Sequence, residues 1–190
     1  MQNLRQIFYA PNQLTLLRMV IIPPVNLAIL YGHFGTAFAL VLVAGISDGL
    51  DGLLARRLGQ QTTLGAYLDP IADKLLLNSS IVSLGVAQAI PLWLVILVLS
   101  RDVIILATAL AMILTTSLRT FQPSFYGKAN TFSLITTVLL TLLDRAELVE
   151  GVRWLQQTGV YCTASLTVLS FLHYAVITAE RIRRLERPSS

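Results

Sequence analysis

The chain has 190 residues, of which 55% are hydrophobic and 13% are charged, and its mean hydropathy is +0.70. Such values exclude an ordinary soluble domain and predict an integral membrane protein. In so apolar a chain, the net charge of +4 indicates attraction to anionic membrane lipids, and we expect no nucleic-acid partner. Cys162 is the only cysteine, which excludes an intrachain disulfide and a thiolate metal site.

Apolar runs near the roughly 20 residues that cross a bilayer recur along the chain. They predict an all-α integral membrane protein with six transmembrane helices in a single domain, residues 1–190, because no Gly/Ser/Pro-rich or charged linker divides the sequence. The polar and aromatic residues of Met1–Ala10 predict a short interfacial helix before them. The predicted spans are Asn12–Tyr31, Thr36–Leu58, Leu64–Gln88, Leu92–Thr116, Lys128–Leu143 and Gly159–Ala179. Asp144–Thr158 is predicted as a loop, either without helix or with a short surface helix.

The basic residues of the connecting segments predict the orientation of these helices. Arg145 and Arg153 lie on one side of the predicted bundle, beside Glu147 and Glu150. The other side holds Arg5, Arg56, Arg57, Arg119, Lys128, Arg181, Arg183, Arg184 and Arg187. The positive-inside rule therefore predicts that both termini are cytoplasmic, in a bacterial inner membrane or an organelle membrane.

Four of the ten acidic residues lie in one stretch between two apolar runs, Ser47–Lys74. Asp48 and Asp51 are three residues apart, and Asp69 and Asp73 are four apart, so each pair shares one face of a helix. An ionised acid at mid-membrane costs about 2.5–3.5 kcal/mol on insertion scales. Oxygen ligands suit Mg²⁺, Mn²⁺ or Ca²⁺, and one or two such cations would offset this cost. The stretch therefore predicts a metal-centred active site at the cytoplasmic membrane face.

The neighbours of the four acids are compatible with phosphate chemistry. Gly52, Ala55 and Gly65 are small and leave room for a ligand near the backbone. Arg56 is a candidate for holding a phosphate. Two divalent cations beside a basic residue are a recurrent arrangement for phosphoryl-type transfer, in which a carboxylate not fully committed to metal can act as general base.

The spacing of these residues resembles the signature of the CDP-alcohol phosphatidyltransferases. The sequence reads Asp48-x-x-Asp51-Gly52-x-x-Ala55-Arg56, then eight residues, then Gly65-x-x-x-Asp69-x-x-x-Asp73, with all eight specified positions present. Asn12-x-x-Thr15-x-x-Arg18 is similar to the family's pattern in its first helix. Because six spans with cytoplasmic termini are also what the family would show, the resemblance covers most of the chain.

The resemblance implies a reaction and a set of roles. An acceptor hydroxyl attacks the β-phosphorus of CDP-diacylglycerol, and CMP leaves. The implied metal ligands are Asp48, Asp51, Asp69 and Asp73, with Asp73 also as the catalytic base, and the implied donor site comprises Gly52, Ala55, Arg56, Gly65, Asn12 and Thr15. The family is typically dependent on Mg²⁺ or Mn²⁺ and homodimeric, so two divalent cations and a homodimer are expected here.

The acceptor alcohol is indicated by the fourth and fifth helices. They read Ser100-Arg101-Asp102 and Gly127-Lys128-Ala129-Asn130-Thr131, which look more like the mitochondrial-type cardiolipin synthases than the glycerol-3-phosphate transferases. We therefore expect phosphatidylglycerol as the acceptor, with glycerol 3-phosphate as the alternative. Lys128 and Arg101 are the candidate acceptor contacts. Arg101 with Asp102 is equally compatible with a structural ion pair, and Arg18 with a structural or a lipid-phosphate role.

Two other classes of protein share some of these features. Carboxylates in spans also occur in cation transporters, but here they lie at one end of the helices rather than at the midplane, with no evident inverted repeat. Acids that only link helices, or a non-catalytic scaffold, would not be expected to keep the complete quartet.

Overall fold

The computed structural model describes the backbone of residues 10–58, 63–115 and 125–185, and within it the side chains of 16–47, 71–108 and 125–178. These residues form six α-helices and no strand, as the sequence predicts. The helices are α1 (Ala10–Leu30), α2 (Phe34–Leu58), α3 (Thr63–Val86), α4 (Leu92–Thr115), α5 (Phe125–Arg145) and α6 (Arg153–Leu185). The predicted interfacial helix before α1 lies outside the described residues.

Two predicted boundaries are wrong by more than three residues, and both belong to the last helix. The sixth predicted span begins at Gly159, whereas α6 begins at Arg153 and continues to Leu185. Its first turns carry polar residues that resemble a loop in sequence. Gln156 is nevertheless 8% exposed, and its side-chain amide donates to the Thr141 hydroxyl at 3.4 Å. A buried polar contact therefore replaces the apolar pattern that normally marks a helix.

Tight turns join consecutive helices at the end of the bundle remote from the acidic motif. After α1, the amide of His33 donates to the Ala28 carbonyl and the amide of Gly32 donates to Ile29, while Gly32 has a φ of 77°. The same pair of bonds ends α3, where Gln88 has a φ of 55°. These are C-terminal helix caps with one left-handed residue, and they allow the chain to reverse within a few residues. The antiparallel packing of α1 with α2 and of α3 with α4 follows from them.

Helix α3 lies at the centre of the fold and packs against α1, α4 and α5. It contributes Leu76, Ile81 and Leu84 to a continuous apolar core. Near its end α4 approaches closely: a Cβ atom on Gly85 would lie 2.7 Å from Cγ2 of Val95. Glycine is required there because any side chain would push α4 away. The helix that carries Asp69 and Asp73 is therefore fixed by its packing against three other helices.

The outer surface of the bundle is apolar. Large side chains such as Val20, Ile96, Leu106 and Phe132 are 64–74% exposed, which is unusual over so much of a soluble protein's surface. Among the described residues, one segment, Arg153–Thr178, is both long and apolar enough to cross a membrane. Leu16–Leu30 and Phe34–Ser47 are shorter apolar segments.

Candidate active site

The acidic motif is carried by two consecutive helices. Asp48 and Asp51 belong to the last part of α2, and Asp69 and Asp73 belong to the first half of α3. The predicted three- and four-residue spacings therefore do fall on helices, where each pair shares a face. Asp73 has a described side chain. The side chains of the other predicted motif residues lie outside the described ones: Asp48, Asp51, Asp69, Gly52, Ala55, Arg56, Gly65, Asn12 and Thr15.

Asp73 forms an ion pair with Arg18 of α1. The distance from Nη1 of Arg18 to Oδ1 of Asp73 is 2.6 Å. The arginine side chain is 2% exposed, whereas the carboxylate is 45% exposed. Arg18 thus fixes the orientation of the carboxylate from the buried side and leaves part of it accessible. Of the two roles that the sequence allows for Arg18, the structure supports a protein partner.

A cleft of about 300 Å³ opens beside this ion pair. Arg18 and Asp73 line it together with mostly apolar side chains of α2, α3 and α5, among them Val41, Leu76 and Ile135. The cleft thus combines one ion pair with a mostly apolar lining, which is the usual composition of a ligand-binding pocket.

A second charged cluster joins α3, α4 and α6. Arg101 donates from Nη1 to Oδ1 of Asp102 at 2.7 Å and from Nη2 to the Ser170 hydroxyl at 2.6 Å. The other carboxylate oxygen of Asp102, Oδ2, accepts from Lys74 at 3.3 Å and from Asn78 at 3.2 Å. Arg101 and Asp102 are 12% and 16% exposed, and Lys74 is 62% exposed. Asp73 and Lys74, which are consecutive on α3, thus form ion pairs with two different helices, α1 and α4.

On α5, the predicted acceptor contact Lys128 and the nearby Asn130 have different surroundings. Lys128 is exposed near the start of the helix. Asn130 is 3% exposed, and its Oδ1 accepts a hydrogen bond from the Thr167 hydroxyl at 2.9 Å. Asn130 belongs to the fifth-helix sequence that resembles the cardiolipin synthases. The structure places it in the interface between α5 and α6.

Sequence reasoning missed Lys74, Asn78 and Ser170 as members of the charged cluster. A signal for the first two was present: Lys74 and Asn78 are four residues apart and so lie on one helix face, in an otherwise apolar stretch after the motif. Ser170 carries no such signal, because its partner Arg101 is 69 residues away in the chain.

The donor set of the motif fits a divalent cation. All four predicted ligands are aspartates, and hard oxygen donors suit Mg²⁺ or Mn²⁺ rather than a thiolate-seeking metal. Asp73, the member whose side chain is described, remains 45% exposed beside its ion pair. Part of the Asp73 carboxylate is therefore accessible from the cleft side.

The sequence model of the CDP-alcohol phosphatidyltransferases matches residues 8–174, and the chain belongs to this family. Its members are membrane proteins. The resemblance seen in the acidic motif is thus confirmed over most of the chain.

Individual relatives carry two kinds of name. A "probable phosphatidylglycerophosphate synthase" of Mycobacterium tuberculosis is 38% identical over 138 residues, which are 70% of this chain and 65% of that protein. A "probable cardiolipin synthase (CMP-forming)" of Drosophila melanogaster is 34% identical over 185 residues, or 85% and 56%. A "cardiolipin synthase (CMP-forming)" of Streptomyces coelicolor is 32% identical over 191 residues, or 93% and 84%. The chain thus spans less than two thirds of the first two proteins. None of these three relatives is named as a cation transporter.

Proposed function

We propose that this protein transfers the phosphatidyl group of CDP-diacylglycerol to the hydroxyl of an acceptor alcohol and releases CMP. The main support for this proposal is the complete acidic motif on α2 and α3, in a chain that belongs to the CDP-alcohol phosphatidyltransferases. In the reaction, the acceptor oxygen forms a bond to the β-phosphorus. The bond from that phosphorus to the bridging oxygen of CMP breaks, and the hydroxyl proton goes to a base.

Asp73 is the base in this proposal and also a metal ligand with Asp48, Asp51 and Asp69. Its ion pair with Arg18 at 2.6 Å supports this role, because one carboxylate oxygen is fixed while the group stays accessible. Two Mg²⁺ or Mn²⁺ ions bound by the aspartates would neutralise the diphosphate and stabilise the leaving CMP. Gly52, Ala55, Arg56, Gly65, Asn12 and Thr15 are proposed to bind the CDP-lipid.

Phosphatidylglycerol is the proposed acceptor, with Arg101 and Lys128 on the acceptor side. The support is the similarity of Ser100-Arg101-Asp102 and Gly127-Lys128-Ala129-Asn130-Thr131 to cardiolipin synthases, together with the relatives from Drosophila and Streptomyces. Glycerol 3-phosphate is the second candidate, because the Mycobacterium tuberculosis relative with 38% identity is named a probable phosphatidylglycerophosphate synthase.

We further propose that all six helices cross the membrane, with both termini and the acidic motif on the cytoplasmic side, and that the protein acts as a homodimer. The apolar outer surface supports the spans, and the distribution of Arg and Lys supports the orientation. The homodimer rests on family membership alone.

The test is CMP release by the purified protein in detergent with CDP-diacylglycerol and Mg²⁺, in parallel with phosphatidylglycerol, glycerol 3-phosphate, inositol phosphate and serine. We expect release that requires phosphatidylglycerol and stops with EDTA. Release that requires glycerol 3-phosphate would select the second candidate. No release with any acceptor, in folded and Mg²⁺-supplied protein, would overturn the proposed reaction.

A further inference from the structure

Lys74 is a solvent-accessible cation in the charged cluster of α3, α4 and α6. Its side chain is 62% exposed, while those of Arg101 and Asp102 are 12% and 16% exposed. The two terminal nitrogens of Arg101 are both engaged, one with Asp102 and one with Ser170. The ammonium of Lys74 donates to one described acceptor, Oδ2 of Asp102, at 3.3 Å. Since an ammonium has three donors, Lys74 keeps hydrogen-bonding capacity toward the open side.

The position of Lys74 along α3 indicates what kind of group its exposed ammonium contacts. Lys74 follows Thr63, the first residue of α3, by 11 positions, which places it about 16 Å along the helix axis. At that depth in a membrane-crossing bundle, a charged side chain faces a polar cavity or a partner and not lipid, because exposure to hydrocarbon is costly. Because Lys74 is 62% exposed, we expect a polar group to contact its ammonium from the exposed side.

We propose that Lys74 binds the phosphate of the acceptor alcohol. This inference rests on the proposed function and adds a residue to its acceptor side. Both candidate acceptors carry a phosphate three carbons from a primary hydroxyl, so one site must hold an anion a short distance from the general base. Lys74 directly follows Asp73 on α3, so the two side chains start about 1.5 Å apart along the helix axis and about 100° apart around it. An ammonium binds phosphate as a compact point charge.

Asp102 is the positioning residue of this site. Its carboxylate accepts from Lys74 and Asn78 on α3 and from Arg101 on its own helix. Arg101 in turn is held by Ser170 of α6. The cluster of Lys74, Arg101 and Asp102 has one more positive than negative charge, which suits a bound phosphate. Arg101 thus contributes to acceptor binding through Asp102.

The experiment compares Lys74→Gln, Lys74→Arg and Asp102→Asn with the matched control Arg153→Gln. Arg153 is exposed at the start of α6, remote from the acidic motif, and its replacement removes the same charge. Two quantities are measured on each folded protein: the KM values for donor and acceptor in CMP release, and the equilibrium binding of radiolabelled glycerol 3-phosphate and of phosphatidylglycerol in detergent micelles.

We expect Lys74→Gln to raise the acceptor KM and dissociation constant about 10- to 100-fold, the range for losing a hydrogen bond to a charged group. The KM for CDP-diacylglycerol should stay unchanged, and Lys74→Arg should recover most of the affinity because the charge remains. Asp102→Asn should raise the acceptor KM by itself but add little to Lys74→Gln in the double variant, since it acts through Lys74. Arg153→Gln should behave as the unmodified protein.

The outcomes separate this inference from the proposed function. CMP release with an unchanged acceptor KM in Lys74→Gln would overturn the role of Lys74 and leave the reaction intact. Lys74-dependent binding of a phosphate ester without any CMP release would support the site and overturn the reaction. Equal rises in donor and acceptor KM would show a general distortion of α3 and would also overturn the assignment. The absence of both binding and release in the unmodified protein would overturn both.

Discussion

Arg18 is the one charged side chain among the described residues that is almost fully buried, at 2% exposure. Burying an unpaired guanidinium would be very costly, so its contact with Asp73 at 2.6 Å compensates for the lost hydration. The contact also restricts the carboxylate to one orientation. In the proposed reaction, that restriction keeps the general base aligned before the substrates bind.

Replacing Arg18 should therefore affect catalysis more than substrate affinity. We expect Arg18→Gln to lower kcat for CMP release about 10- to 100-fold, because a charge-assisted hydrogen bond contributes about 1.5–3 kcal/mol. Arg18→Lys keeps the charge but loses the planar guanidinium, so its kcat should lie between those of the unmodified protein and Arg18→Gln. The measurement is steady-state CMP release, with near-ultraviolet circular dichroism to confirm folding. A folded Arg18→Gln protein with unchanged kcat would limit the ion pair to a structural role.

The spacing of the four aspartates is a local property, and a helical period converts it directly into a shared face. The placement of each aspartate pair on one helix face was therefore predictable at this scale. The partners of the motif were not, because Arg18 and Asp73 are 55 residues apart in sequence and meet only through the packing of α1 on α3. The same holds for Lys74 and Asp102, which are 28 residues apart.

At the scale of elements, a buried polar seam joins α5 and α6. The Thr163 hydroxyl lies 2.8 Å from that of Thr137 and 2.7 Å from that of Ser133, and all three residues are buried. Thr167 with Asn130 continues the seam toward the start of α5. Small side chains also allow close approach here, since a Cβ on Gly159 would lie 3.0 Å from Oγ1 of Thr137. The seam fixes the register of the two helices.

Thr163→Val tests this seam with a nearly isosteric change. It should lower the free energy of unfolding by about 0.6–1.7 kcal/mol, the range for interhelical hydrogen bonds in membrane proteins. The control is Thr158→Val on the same helix, because Thr158 is exposed and its hydroxyl donates only to the Trp154 carbonyl. Unfolding in a detergent titration measures both. Equal stability of the two variants would contradict a contribution of the seam.

The sequence predicted the existence and order of the helices because long apolar runs dominate their composition. It did not predict where α6 begins, since Gln156 is polar and yet faces inward. It also did not predict that Asn130 is buried and accepts a hydrogen bond from Thr167 in the interface of α5 and α6. In both cases a polar residue satisfies a polar partner inside the bundle, which a pattern of hydrophobicity cannot reveal.

At the scale of the whole molecule, the outer face is apolar and the basic residues are unevenly distributed over the predicted loops. These two properties together predict how the bundle lies in a membrane. The turn that ends α5 contains Glu147, with a φ of 54°, and belongs to the side with few basic residues. We therefore expect this turn on the side opposite to the termini.

Cysteine accessibility tests that orientation. Cys162 is first replaced by serine, and single cysteines are then introduced as Glu147→Cys and Ser189→Cys. A membrane-impermeant maleimide should label the first variant in intact cells and the second only after permeabilisation. Labelling of both variants in intact cells, or the reverse order, would contradict cytoplasmic termini. The Cys162→Ser protein alone provides the background.

The two neighbouring ion pairs of α3 restrict rotation of this helix about its own axis. Asp73 pairs with Arg18 of α1, and Lys74 pairs with Asp102 of α4. Rotation of α3 in either direction would therefore lengthen both ion pairs. One extra residue between these positions would turn the ammonium by about 100° and carry it away from Asp102, even with all four aspartates retained. The proposed donor and acceptor sides would then lose their alignment. Their relative position is thus fixed by a single peptide link.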